Sequence, residues 1–309
     1  MSGEAKYIWM NGGLKPYAEG TTHVMSHGLH YGSGFFEGIK CYLTESGPAI
    51  FRLRDHMKRL VTSAAIYRMK VPYSVDELVQ ATLELVRANG LQECYIRPIA
   101  FYGYDTLGVH PRKCPVTVAI ATFNWGTYLG EGALERGVRI TISPWRKFHS
   151  CSLPTVAKAA GQYLNSILAA QDAHDKGYDE GLLLNQEGNI AEGAGQNIFL
   201  VKDGMVYTNG EPSSILMGLT RETVLTLIED QKIPVHVGKL TIGRLFSADE
   251  AFFTGTASEV TPIREVDERQ IGDGRRGPIT EKIQSLYFDV IRGRLPEYRR
   301  WLTYLGSEA

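Results

Sequence analysis

The chain runs to 309 residues, 43% of them hydrophobic and 22% charged, with a formal net charge of -1. That length exceeds what one hydrophobic core ordinarily serves, which predicts two domains, and the balanced charge offers a nucleic-acid partner no electrostatic attraction. No apolar run reaches the about 18 residues of a membrane span, and the opening MSGEAKYIWMNG has neither the basic nor the apolar stretch of a secretory signal.

YIWMNG reads as a short strand and turn, and GFFEGIKCYLTE continues with strand-forming, glycine-punctuated character. From Arg54 to Met69, apolar Met57, Leu60, Val61, Ala64 and Ala65 recur at helical spacing. Ser74 and Glu77 form a capping box ahead of LVQATLELV, and Asn89-Gly90 supply the stop of a second helix. YIRPIAFYG and VTVAIATF follow as strands, the latter apolar enough to be buried. The glycine-rich NWGTYLGEGALERG, from Asn124 to Gly137, breaks this pattern. The expected division is an N-terminal α/β domain over 1–123, a linker over 124–136 and a C-terminal domain over 137–309. In the last of these VRITIS is a strand, and a long helix runs from Ala159 to His174. GLLLNQEGNIAEGAGQNIFLV reads as strand, turn and strand, RETVLTLIED as a helix, and AFFTGTASEVTPIREV as strand-like again. A late amphipathic helix covers Ile279 to Ile291. Strands and helices alternate without repeats, so the architecture is α/β or α+β in two domains.

Several local patterns bear on chemistry. Gly193-Ala194-Gly195 leads into the strand QNIFLV and lacks a third glycine, which argues against a dinucleotide fingerprint. His23, His27 and His30 have helical spacing, but Gly28 intervenes and no acidic or thiol ligand follows closely, so no metal site is expected. Cys41, Cys94, Cys114 and Cys151 include no CxxC pair and read as idle thiols of a reducing compartment, the cytoplasm. Gly218-Leu219-Thr220 opens a helix, where unpaired backbone N–H groups suit an anion. Gly255-Thr256-Ala257 follows a strand and can bring further amides close to one. Lys158, in PTVAKAAGQY, is flanked by alanines; a lysine among small apolar neighbours is open to desolvation, which makes its amine nucleophilic.

Taken together, YIRP, PTVAKAAGQYLNS, EGNIAEGAGQNIF, GLTRETV and FFTGTASEVTP make the chain resemble the branched-chain aminotransferases. These are two-domain, fold-type IV pyridoxal-phosphate enzymes, similar in fold to D-amino-acid aminotransferase. The resemblance extends from HGLHYGSGFFEGIKCY to RRGPIT, almost the whole chain, with the motifs in family order. It implies pyridoxal 5'-phosphate as cofactor, Lys158 as the Schiff-base lysine, Glu192 as partner of the pyridine nitrogen and Tyr163 as partner of the phenolic oxygen. Arg59, Leu219, Thr220 and Thr256 are implied for the phosphate. Tyr95 and the amides of Thr256 and Ala257 match the pocket for the substrate α-carboxylate. Tyr31, Phe36, Gly38, Trp125 and Tyr128 match the walls for an aliphatic side chain. Leu107 and Val109 match residues that reach a partner subunit's pocket, and Arg97 with Tyr31 matches the binder of a side-chain carboxylate.

The implied reaction is transfer of the amino group of leucine, isoleucine or valine to 2-oxoglutarate, in a homodimer or larger homo-oligomer with neither nucleic acid nor membrane as partner. Departures are Lys40 where the family generally has arginine, Gln162 for a frequent asparagine, and the unusual WRKFHSCSLP. The rival activities are a D-amino-acid or (R)-amine transaminase, or aminodeoxychorismate lyase. A non-catalytic regulator of the same fold has no chemical need for both Lys158 and Glu192.

Overall fold

Residues 5–126, 129–130 and 132–306 are described by the computed structural model, and they partition into two units. The first comprises Met1–Gly126, Ala157–Gln162 and Val290–Ala309; the second comprises Thr127–Val156 and Tyr163–Asp289. Among the described residues no helix is long and apolar enough to cross a membrane.

In the first unit an eight-stranded antiparallel sheet runs in the order Leu302–Tyr304, Gly47–Phe51, Ile39–Thr44, Cys94–Tyr102, Val116–Phe123, Tyr7–Met10, Gly13–Pro16. Gly34–Phe36 also pairs with Cys94–Tyr102. That central strand therefore meets two short strands on one side, with Glu37 and Gly38 at the break between them. The break explains how Pro98 sits mid-sheet, where a missing N–H is normally excluded. Its carbonyl accepts the Glu37 N–H at 2.9 Å, so the donor it lacks would have faced the same gap. The helices Leu53–Ile66 and Val75–Asn89 bury Met57, Leu60, Leu78 and Leu85 against Ile39, Ile50, Ile96 and Val118.

The second unit carries a nine-stranded mixed sheet among its described residues. Its order is Ile190–Gly193, Glu180–Leu184, Val138–Arg146, Glu259–Val266, Glu250–Gly255, Asn197–Lys202, Met205–Thr208, Val235–Val237, with Arg269–Gln270 beside Glu259–Val266. Val138–Arg146 is parallel to both neighbours. Runs such as GLLL, NIFLV and EAFF are buried throughout, as central strands covered on both faces require.

Several elements follow their sequence signals closely. The Ser74 hydroxyl accepts the Glu77 N–H at 3.2 Å while the Glu77 carboxylate accepts the Ser74 N–H at 2.7 Å, and Gly90 ends that helix at φ 67°. Others differ. The helix expected to reach Met69 stops at Ile66, because Arg68 turns left-handed at φ 61° and the Met69 N–H reaches back to the Ala64 carbonyl, burying Met69. The helix expected from Ala159 begins as a 3-10 turn, Ala160–Gln162, and becomes α-helical over Tyr163–Asp175. Here Gly161 touches the chain at Gly32, where an added Cβ would stand 2.8 Å from the Gly161 Cα. The stretch 251–266 is two strands joined by a tight turn at Thr256-Ala257-Ser258, after which Glu259 takes φ 55°. Residues 137–309 were expected in one domain; contacts place Ala157–Gln162 and Val290–Ala309 with the first unit. Ala159 bridges to Phe35, and Leu302–Tyr304 pairs with Gly47–Phe51.

Candidate active site

In the first unit Lys158 is fixed by its backbone. Its N–H donates to the Ser63 hydroxyl at 3.0 Å, and its carbonyl accepts the Phe36 N–H at 3.2 Å. The Nζ lies 5.0 Å from the centroid of the Phe36 ring. Burial lowers its pKa to about 8, with the Arg59 and Arg97 cations acting in the same direction and Glu37 and Tyr95 opposing. Such an amine is neutral often enough near physiological pH to attack a carbonyl or take a proton.

Glu37, in the break of the sheet ladder, is fully buried. Its Oε1 accepts from Arg59 Nε at 2.6 Å, and its Oε2 from Arg59 Nη2 at 2.9 Å and His56 Nδ1 at 2.7 Å. Burial alone would raise this carboxyl, but Arg59 and His56 outweigh it and hold Glu37 well below the usual carboxylate range. Burial also lowers the His56 pKa, against the pull of Glu37. Arg59, expected at a phosphate, is thus oriented by a bidentate carboxylate clamp. Sequence reading missed Glu37 and His56. The available signals were an acid inside the apolar GFFEGI and the three-residue spacing that puts His56 and Arg59 on one helix face.

Arg97 and Tyr95 share a face of the central strand. The Arg97 guanidinium carbon is 5.0 Å from the Phe36 ring centroid, 5.3 Å from Tyr95 and 5.7 Å from Trp125, a cation walled by aromatics. Its buried Nε has no hydrogen-bond partner among the described residues. Trp125 meets Tyr95 edge-on with centroids 4.5 Å apart. Burial pushes the Tyr95 phenol up, with Arg97 opposing. Gly38 makes room for that phenol: a Cβ there would stand 1.9 Å from the Tyr95 hydroxyl.

Tyr31, Leu107 and Val109 are exposed. His27 holds the two segments together: its Nε2 faces the Gly108 carbonyl at 2.9 Å and its Nδ1 the Ser33 hydroxyl at 2.7 Å, and its ring packs 4.5 Å from Tyr31. His30 Nε2 faces the Val24 carbonyl and His23 stacks on Tyr104. Gln162 donates to the Tyr67 hydroxyl at 2.8 Å, and Lys40 Nζ lies 5.8 Å from the Tyr42 ring centroid. Tyr128 lies outside the described residues.

In the second unit Glu192 lies on the strand Ile190–Gly193, 6% exposed. Its Oε1 pairs with Lys147 Nζ at 2.7 Å; its Oε2 accepts from the Leu216 N–H at 3.1 Å and Asn197 Nδ2 at 3.2 Å. Asn197 Nδ2 also donates to the Leu216 carbonyl at 2.9 Å. Gly218 is the closest approach behind it, since a Cβ there would stand 2.2 Å from Asn197 Oδ1. The helix Leu219–Asp230 starts directly after Gly218 with no side-chain cap, and Thr220 is buried in its first turn. Arg221 Nη2 donates to the Asn209 carbonyl at 2.5 Å, and Asn209 Nδ2 to the Ile190 and Ala191 carbonyls, each at 2.7 Å. These bonds tie the helix start to the strand bearing Glu192. Thr256 and Ala257 form the hairpin turn, where Gly255 is hemmed in by the Ser258 hydroxyl, 2.8 Å from an added Cβ. Tyr163 is half-buried at the first position of its helix. Asn197 carries no sequence signal of its own, and Lys147 only its place in the unusual WRKFHSCSLP.

The first unit offers a low-pKa amine that suits an aldehyde. The second offers a helix start with no side-chain cap and a small-residue turn, which suit a phosphate, and a buried carboxylate, which suits a ring nitrogen. Residues 34–266 match the family model described as amino-transferase class IV. The branched-chain-amino-acid aminotransferase of Pseudomonas aeruginosa is 48% identical over 296 residues, 96% of each chain. A crystal structure of the Escherichia coli branched-chain amino acid aminotransferase superposes with a TM-score of 0.96 at 44% identity, covering 98% of this chain and 100% of that one. Two structures of the T.th. branched-chain amino acid aminotransferase, one with 4-methylvaleric acid and one with N-(5'-phosphopyridoxyl)-L-glutamate, each give 0.93 at 44% identity, covering 98% and 99% of the two chains.

Proposed function

The chain belongs to the class IV aminotransferases, and on that premise we propose that it moves the amino group of leucine, isoleucine or valine onto 2-oxoglutarate. Arg97 carries this reading: one cation with an unpartnered Nε inside an aromatic wall serves two kinds of substrate. An aliphatic side chain packs on Phe36 and Trp125, while a glutamate side-chain carboxylate takes the guanidinium. The T.th. complexes, with a branched aliphatic acid and a glutamate adduct, parallel those two ligands.

Pyridoxal 5'-phosphate, when bound, supplies a ring that accepts the electron pair left when the substrate Cα loses its proton. Lys158 Nζ would hold the cofactor at its aldehyde carbon and would serve as the base for the substrate Cα proton. Glu192 receives the ring nitrogen, and Tyr163 the phenolic oxygen. Arg59, Leu219, Thr220 and Thr256 hold the phosphate. Tyr95 and the N–H groups of Thr256 and Ala257 hold the α-carboxylate, and Gly38, Tyr31 and Tyr128 complete the side-chain walls. Exposed Leu107 and Val109 suit contact with a second copy, in a homodimer or larger assembly. The free thiols Cys41, Cys94, Cys114 and Cys151 fit the cytoplasm.

The test is the absorbance of the cofactor-loaded protein, with Lys158→Ala alongside. L-Leucine should bleach the visible band and 2-oxoglutarate restore it, whereas Lys158→Ala should show no such cycle. Bleaching by D-alanine or an (R)-amine but not by L-leucine overturns the substrate assignment.

A further inference from the structure

Lys147 is 7% exposed, although Trp145 and Arg146 before it are exposed. Lysine is seldom that buried unless it is paired. Its backbone is clamped on both sides: the N–H donates to the Leu184 carbonyl at 2.8 Å, and the carbonyl accepts Gln186 Nε2 at 2.9 Å. The ammonium is thereby delivered to Glu192 Oε1 at 2.7 Å and rests 4.9 Å from the Phe148 ring centroid.

A carboxylate oxygen accepts about two hydrogen bonds. Among the described residues, Glu192 Oε2 already has two, from Leu216 and Asn197, whereas Oε1 has Lys147 alone. The acceptor position left on Glu192 is therefore on the oxygen that the ammonium occupies. We propose that Lys147 is a positioning residue for Glu192, which orients the carboxylate and weakens its grip on the cofactor's ring nitrogen. The proposal rests on the assignment of Glu192 to that nitrogen. A protonated ring nitrogen and the ammonium share one oxygen and repel each other, so the cofactor is held less tightly than by a lone carboxylate. In the cofactor-free chain the same ammonium balances a buried charge that would otherwise be costly. Lys147 thus stabilises the empty protein more than the loaded one.

A purely structural lysine predicts the opposite sign, and this makes the test decisive. Lys147→Met should lower the melting temperature of the cofactor-free protein, yet bind pyridoxal 5'-phosphate about tenfold more tightly in an absorbance titration. Lys147→Gln, which can still donate to Oε1 without charge, should shift affinity the same way by less, and Lys147→Arg should restore wild-type affinity. In the Glu192→Gln background, adding Lys147→Met should change affinity by less than about twofold. Weaker or unchanged binding in both Lys147→Met and Lys147→Gln overturns the proposal, as does an undiminished effect in the Glu192→Gln background. If Glu192→Gln alone leaves cofactor affinity untouched, the assignment of Glu192 fails with it.

Discussion

Lys158 stands among charges of both signs, and its titration is the most direct handle on the site. Its pKa is about 8 in the folded chain against an ordinary lysine value of 10.5. Between those values the unfolded chain binds the extra proton, so stability rises with pH across the window and is lost as pH falls through 8. Melting temperatures of the cofactor-free protein should climb from pH 8 to 10.5 with a component missing from Lys158→Ala. Gly38→Ala is expected to be severe in a different way. The new methyl group displaces the Tyr95 hydroxyl, so kcat/KM for leucine should fall by about 100-fold, and overpacking around that buried ring should lower the melting temperature as well. Lys158, Glu192 and Arg97 each lie in a distinctive string, which is why the sequence offers them as candidates. Glu37, His56 and Lys147 escape notice because each meets a partner distant in sequence: Glu37 meets Arg59 only after a strand break and a helix bring them together.

At the scale of elements, local signals are reliable where they are self-contained. The Ser74–Glu77 box needs only its own four residues, and the helix starts where the sequence places it. Ser74→Ala should cost about 1 kcal/mol, read as a lower urea midpoint at unchanged slope. Hydrophobic spacing fails where another segment intrudes. The apolar pattern through Ala159 hides the contact of Gly161 with Gly32, which tightens the first turn into a 3-10 helix. Likewise AFFTGTASEVTPIREV has strand composition throughout, and only the turn at Thr256 shows that it folds back on itself. Domain limits suffered most, since pairing of Leu302–Tyr304 with Gly47–Phe51 is a long-range event that composition does not register.

Across the whole molecule, the described residues bury an extensive apolar core in each unit and leave Val24, Leu29 and Val109 in water, the last 83% exposed. Apolar side chains gathered near one helix and loop are a common mark of self-association. The protein should sediment at a multiple of its single-chain mass, and Val109→Asp should shift it toward one copy in analytical ultracentrifugation. The borders of the first sheet carry a different consequence. One is the four-residue strand Gly13–Pro16, with Lys15 and Pro16 in it, and the other the three-residue Leu302–Tyr304. Such short borders, one of them bearing a charge and a proline, make poor templates for a foreign strand, so the long inner strands stay shielded from fibril growth when the protein is crowded.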